Sequence, residues 1–210
     1  MATGSFLAER DDWPSAVARA RAEGWTILEL TAIDRARLDA LIEVLAVEPR
    51  TLDGFERVSV HAPVRFDGNT DDLRAALLGL PHDVVLHPDA YRGEAWVVDL
   101  GARAVFENMD IAKRFGREVA DLRQVFAMFP EAGFCFDVAH VWTNDPTLRL
   151  GHELIDELGG RLRQLHVSGI EPDGTHRPTT RADLDLYAPL LDRCRDVPWL
   201  LEAELAGEAA

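Results

Sequence analysis

Residues 134–140 read Phe134-Cys135-Phe136-Asp137-Val138-Ala139-His140: a short apolar run, closed by a carboxylate, with an imidazole one helical turn later. A run of this length suits a strand buried on both faces, because the strands of parallel sheets read as continuous apolar stretches. The same form recurs on either side. Toward the N-terminus lie Ala104-Val-Phe-Glu107, Val84-Val-Leu-His87, Val58-Ser-Val-His61 and Trp25-Thr-Ile-Leu-Glu-Leu30; toward the C-terminus lie Leu165-His-Val167 and Trp199-Leu-Leu-Glu202. Gly4-Ser-Phe-Leu7 reads as a short first strand.

Helix signals fill the intervals. Pro14 opens a helix over 15–22, and Asn69 or Thr70 caps one over 71–80. Thr180-Arg-Ala-Asp183 has the form of a capping box ahead of the stripe Leu184, Leu186, Leu190, Leu191. Gly159-Gly160 closes a helix over 148–158. The stretch 91–101 is thin for a full helix, and only eight residues follow Glu202.

Strands alternating with helices predict parallel βα units, and eight of them predict an α/β fold of the (β/α)8 TIM-barrel type. With 210 residues, each unit has about 26, so the barrel is short and its eighth helix is truncated or missing. An open doubly wound sheet is the competing architecture, but no G-x-G-x-x-G or Walker A sequence follows any strand. No linker or low-complexity tract divides the chain, so a single domain over 1–210 is expected.

His61, His87, Glu107, Asp137, His166 and Glu202 each close an apolar run, separated by about 20 to 36 residues, close to one βα unit. A parallel barrel gathers such positions on one rim, where active sites form. Strand alternation turns Ser59, His61, Val105, Glu107, Cys135, Asp137, Leu200 and Glu202 inward, and Val60, Phe106, Phe136 and Leu201 toward the helices. With His140 and His176, five of the chain's seven histidines fall at or just after strand ends. Converging imidazoles and carboxylates lose hydration, and a divalent cation resolves the conflict by accepting both. Mixed nitrogen and oxygen donors suit Zn, Mn, Co or Fe, as one ion or more, better than Ca or Mg.

Other polar residues have plainer readings. His82 and His152 fall out of phase and read as surface residues, Cys135 as core, and Glu29 as a partner in a rim salt bridge. Asp110, Lys113, Arg114 and Arg117 read as a solvated loop, with a role at a substrate phosphate as the alternative.

The balance of 22 Lys+Arg against 37 Asp+Glu gives a net charge of −15, which disfavours nucleic acid as the main partner. No apolar run approaches the ~18 residues of a membrane span, and residues 1–12 lack the pattern of a secretory signal. Cys135 and Cys194 give neither a disulfide framework nor a metal-ligand spacing. The expectation is a cytoplasmic protein acting on a small molecule. A missing eighth helix also suits a homo-oligomer whose neighbour covers the bare barrel wall.

Val58-Ser-Val-His61-Ala-Pro, Val85-Leu-His87-Pro, Phe106-Glu107-Asn108-Met, Phe136-Asp137-Val-Ala-His140, Leu165-His166-Val-Ser, His176-Arg-Pro and Leu201-Glu202, in this order, resemble the xylose isomerase-like superfamily. These TIM barrels comprise sugar phosphate isomerases and epimerases and the endonuclease IV type of nuclease. The resemblance runs from about residue 25 to residue 204 and does not name a substrate. In the isomerase and epimerase branch it implies one metal held by Glu107, Asp137, His166 and Glu202. The two glutamates there move protons, and His140 touches substrate oxygens. In the nuclease branch a multinuclear zinc site adds His61, His87, His140 and His176. That branch also places an aspartate where this chain has Gly174, with Asp173 one residue away.

Two reactions fit. A carboxylate removes a proton from a sugar carbon while a metal stabilises the resulting enediolate, or two metals activate water against a phosphoester. The acidic charge favours the isomerase or epimerase over a DNA-processing hydrolase. A metal-binding barrel without activity is the remaining reading.

Overall fold

The computed structural model describes residues 1–5, 12–66 and 70–207. Six parallel strands come in chain order: β1 (Ile27–Thr31), β2 (Arg57–His61), β3 (Asp83–Leu86), β4 (Ala104–Glu107), β5 (Gly133–Asp137) and β6 (Leu162–Val167). A two-stranded antiparallel hairpin, β7 (Gly169–Ile170) and β8 (His176–Arg177), projects after β6. The last strand, β9 (Trp199–Leu201), pairs parallel with β6, so the main sheet has seven strands in the order β1-β2-β3-β4-β5-β6-β9. Each of the seven apolar runs from Trp25 onward lies on one of them.

The sheet curls into a nearly closed barrel, and Met1 and Ala2 lie along the seam between β9 and β1. Ala2 N donates to Leu201 O (2.9 Å), Glu29 N donates to Met1 O (2.9 Å), and Ala2 bridges Glu29 in parallel register. The expected first strand over 4–7 is therefore displaced. Thr3–Ser5 forms a turn of 3-10 helix, and Phe6 and Leu7 lie outside the described residues. Side chains end the ladder here: Thr31 N donates to Thr3 Oγ1 and Gly4 N to Thr31 Oγ1, which frees the backbone to turn.

The helices are α1 (Trp13–Ala22), α2 (Arg35–Val47), α3 (Thr70–Gly79), α4 (Pro88–Tyr91), α5 (Val119–Met128), α6 (Val138–Asn144), α7 (Arg149–Leu158) and α8 (Arg181–Leu191). Asp12, Asp34, Asp137 and Thr180 cap α1, α2, α6 and α8 through side-chain oxygens, and Thr180 and Asp183 complete the capping box. The alternative cap Asn69 lies outside the described residues. The thin fourth unit is α4 followed by a 3-10 segment, Ala95–Arg103, broken at Gly101. Gly159 does not make a left-handed cap after α7; it keeps right-handed angles and runs into the 3-10 turn Gly159–Arg161. Among the described residues no helix follows β9. Residues 204–206 run beside Thr179 instead, with Thr179 N donating to Glu204 O and Ala206 N to Thr179 O.

Alternation along the strands separates two environments. Val60, Phe106, Phe136 and Leu201 pack outward with the helices in the main core. Val85, Val105 and Cys135 form a separate buried apolar group inside the barrel. Above that apolar layer, toward the C-terminal strand ends, the interior becomes polar.

Candidate metal centre

The strand ends deliver the expected side chains to one place. His61, Glu107 and Asp137 are the last residues of β2, β4 and β5; His87 follows β3, His166 is the penultimate residue of β6, and Glu202 follows β9. His140 sits in the first turn of α6, and His176 opens β8. Their donor atoms fall into three groups, each within a 4.8 Å span: His61, His87 and Glu107; Glu107, Asp137, His166 and Glu202; and Asp137, His140 and His176. Glu107 and Asp137 each belong to two groups, so all eight residues form one connected cluster.

Glu107 shows how the groups join. Its Oε2 lies 3.4 Å from His61 Nε2 and 3.3 Å from His87 Nε2. Its Oε1 lies 3.2 Å from His166 Nδ1 and 3.4 Å from His140 Nδ1. The two oxygens of one buried carboxylate thus face different imidazole pairs. His166 Nδ1 also lies 3.0 Å from Glu202 Oε1.

Three residues outside the expected metal ligands set this geometry. Glu29 is not at the rim. It is fully buried inside the barrel, where its Oε2 accepts from Ser59 Oγ (3.0 Å) and Gln164 Nε2 (2.6 Å) and lies 3.1 Å from His166 Nε2. His166 thus spans Glu29 at Nε2 and the Glu107 and Glu202 oxygens at Nδ1, and Glu29 fixes the ring as an outer carboxylate does for a metal-bound histidine. Asn108 clamps the neighbouring strand ends: Asp137 N donates to its Oδ1 and its Nδ2 donates to Asp137 O, both at 2.8 Å. Asp110 is buried and lines the pocket rather than standing in a solvated loop, because Ala112 N folds back onto its Oδ1 at 2.6 Å. Glu29 alone carried a local signal, its in-phase position in the β1 run.

The out-of-phase residues are elsewhere. His82 is half-buried at the start of β3, and half-buried His152 lies 3.1 Å from an Arg193 guanidinium nitrogen. Asp173 is exposed and accepts from Thr175 N. Lys113 pairs with Asp89 at 3.4 Å, and Arg117 Nε donates to Asn144 Oδ1.

Burial and charge pull these groups in opposite directions. Desolvation would raise Glu107, yet the His166, His61 and His87 imidazoles hold it well below the usual carboxylate range. Glu202 is likewise held down against burial, mainly by His166. Desolvation with the nearby Glu202 and Glu107 charges pushes Asp137 well above it. Burial opposes charge on His140, but Asp137, Glu107 and Glu202 push it up to about 9.

Glu107 Oε2, Asp137 Oδ2, Glu202 Oε2, Glu29 Oε1 and His87 Nδ1 are buried without a hydrogen-bond partner. Each such atom costs about 1–3 kcal/mol when left unmade. Carboxylate oxygens and imidazole nitrogens in groups this compact could hold a metal ion, so the residues fit a cation. Above them opens a pocket of about 350 Å³, with Thr31, Ile33, Val64 and Arg37 on its upper wall. No helix among the described residues is long and apolar enough to cross a membrane. A scan against family models finds no match to the chain, and a search of curated proteins finds no similar sequence.

Proposed function

We propose that the chain is a divalent-metal-dependent isomerase or epimerase of the xylose isomerase-like (β/α)8 type, acting on a small sugar or sugar phosphate, with Met1 and Ala2 standing in for an eighth strand. The observation that carries this reading is the pairing of Glu107 and Glu202. Both carboxylates reach the same His166 nitrogen, from β4 and from the end of β9, and each keeps one buried oxygen with no hydrogen-bond partner. Moving a proton from one face of a carbon to the other uses two such groups, and moving it between neighbouring carbons uses one of them.

The residues divide the work. Glu202, held ionised by its histidine neighbours, accepts the substrate proton and hands it to the neighbouring carbon, or Glu107, protonated by exchange with solvent, supplies one in its place. His140 and His176 line the pocket and offer ring nitrogens to substrate hydroxyls. Ile33 and Val64 give the pocket apolar lining, and Arg37, which also pairs with Asp34 at 3.7 Å, is the one Lys or Arg among the described lining residues and suits an anionic substituent. A Zn, Mn, Co or Fe ion held by Glu107, Asp137, His166 and Glu202 would polarise the substrate's oxygens and lower the cost of the anion formed when the proton leaves.

A second reading, metal-dependent phosphoester hydrolysis, is favoured by Glu107 presenting its two oxygens to different histidine pairs, the arrangement of a carboxylate bridging two cations. The test is incubation of the metal-loaded protein in D2O with panels of aldoses, ketoses and their phosphates. Deuterium at the carbon next to the carbonyl, lost in Glu202→Gln, is the expected result. Phosphate release without deuterium uptake would overturn it in favour of the hydrolase.

A further inference from the structure

We infer that Asp110 reads a hydroxyl group of the substrate and keeps phosphate away from the substrate end that lies against the loop after β4. The inference rests on the sugar-directed reading above and narrows its ligand to a polyhydroxy compound whose end at this wall is uncharged.

One oxygen of this carboxylate is committed and the other is not. Oδ1 accepts from Ala112 N at 2.6 Å. Oδ2 receives no hydrogen bond from the described residues and stands 4.0 Å from His140 Nε2. Asp110 is buried yet lines the pocket, and it belongs to none of the three compact donor groups. Glu107 and Glu202, the other carboxylates among the described lining residues, both belong to them. Asp110 is thus the pocket carboxylate left without a cation to hold.

Its surroundings hold it in place. Met109 N donates to Gly116 O (2.9 Å), Asn144 Nδ2 to Met109 O (2.7 Å) and Ile111 N to Thr143 Oγ1 (3.1 Å), so the backbone on either side of Asp110 is tied down. The hairpin turn closes on the side chain: Gly174 holds φ +92°, and a Cβ there would sit 3.1 Å from Asp110 Oδ1. An acceptor fixed in this way gives up little freedom when a ligand binds.

A hydroxyl suits the free oxygen. Placed about 2.8–2.9 Å from Oδ2 and from His140 Nε2, one oxygen spans the 4.0 Å between them, and a hydroxyl can donate to the carboxylate while it meets the imidazole. A phosphate in the same place would bring negative charge against negative charge. The cations of this loop do not offset that repulsion. Lys113 pairs with Asp89 at 3.4 Å, Arg117 Nε donates to Asn144 Oδ1, and neither lines the pocket. Arg37 stands in the first turn of α2, after β1, and β1 lies three strands from β4 around the barrel. A substrate laid across the cluster therefore puts its hydroxyl end at Asp110 and any phosphate toward Arg37.

The test titrates the full chain, incubated with Mn²⁺, with xylitol and D-sorbitol as their monophosphates and bisphosphates, by calorimetry. A monophosphate keeps one hydroxyl end and a bisphosphate has none, so wild type should bind a monophosphate at least tenfold more tightly. Asp110→Asn keeps an oxygen for Ala112 N and turns Oδ2 into an NH2 group. It should weaken the monophosphates at least tenfold and erase the preference, with the circular dichroism spectrum unchanged. Asp110→Ser, whose hydroxyl also accepts from Ala112 N, should do the same. Variants that bind every probe as wild type does would reduce Asp110 to a turn residue, and wild type that binds none of them overturns the inference as well. Deuterium uptake by wild type, with probe binding unchanged in both variants, leaves the isomerase or epimerase reading standing without Asp110. Probe binding lost in the variants, with no deuterium uptake into any sugar, leaves Asp110 standing without that reading.

Discussion

Glu29 illustrates how a single buried carboxylate governs a site it does not enter. It receives three donors on one oxygen, and the His166 imidazole outweighs burial to hold it below its ordinary range. Its consequence is directional: it selects which His166 nitrogen faces Glu107 and Glu202. Outer partners of this kind are worth about 10–100-fold in metal affinity. Glu29→Gln should therefore weaken the central metal by that factor, read by chelator competition, with the circular dichroism spectrum unchanged. An unaltered affinity would reduce Glu29 to a packing partner. Asn108, which clamps Asp137 through both backbone groups, acts by the same logic on the opposite wall.

The β7–β8 hairpin and α8 form one mechanical unit. Arg177, next to His176, donates to both Asp183 oxygens at 2.7 and 2.8 Å, and Asp183 also closes the capping box with Thr180. One aspartate thus starts α8 and holds the hairpin that carries His176. Burial alone would raise its carboxyl, but Arg177 and Thr180 hold it below the usual carboxylate value. A depressed folded value contributes stability above the unfolded pKa of about 3.9, and that contribution is lost as pH falls through the folded one. Asp183→Asn should cost about 1–2 kcal/mol in urea unfolding at pH 7, from the weakened cap and bridge. The difference from wild type should shrink steadily below pH 4; a cost that persisted in acid would place its origin outside the carboxylate charge.

At the scale of the whole molecule, the barrel concentrates buried carboxylates and imidazoles in one interior, and a bound cation would change the stability of all of it. Metal at a hundred times its Kd adds about 2.7 kcal/mol, which for a chain of this size raises the melting temperature by about 5–10 °C. Calorimetry with Zn²⁺ and with chelator checks this. The gain should diminish as pH falls below about 9, because His140, whose pKa is pushed up to about 9, then binds protons in competition with metal. A melting temperature indifferent to metal at every pH would leave the cluster as a proton-sharing network. The same scale separates what was legible from what was not. Strand runs such as Phe134-Cys-Phe-Asp137, their spacing, and the inward parity of Glu107 and Asp137 are local patterns, and they sufficed for the parallel sheet and for the eight residues of the rim. Backbone alternation dictates them whatever the neighbours are. The placing of Met1 and Ala2 along the seam between β9 and β1, the turning of Glu29 onto His166, and the burial of Asp110 beside the pocket were decided only by the folded chain. Each depends on which distant group stands opposite, and a side chain's chemistry inside a barrel is set by that neighbour rather than by its place in the run.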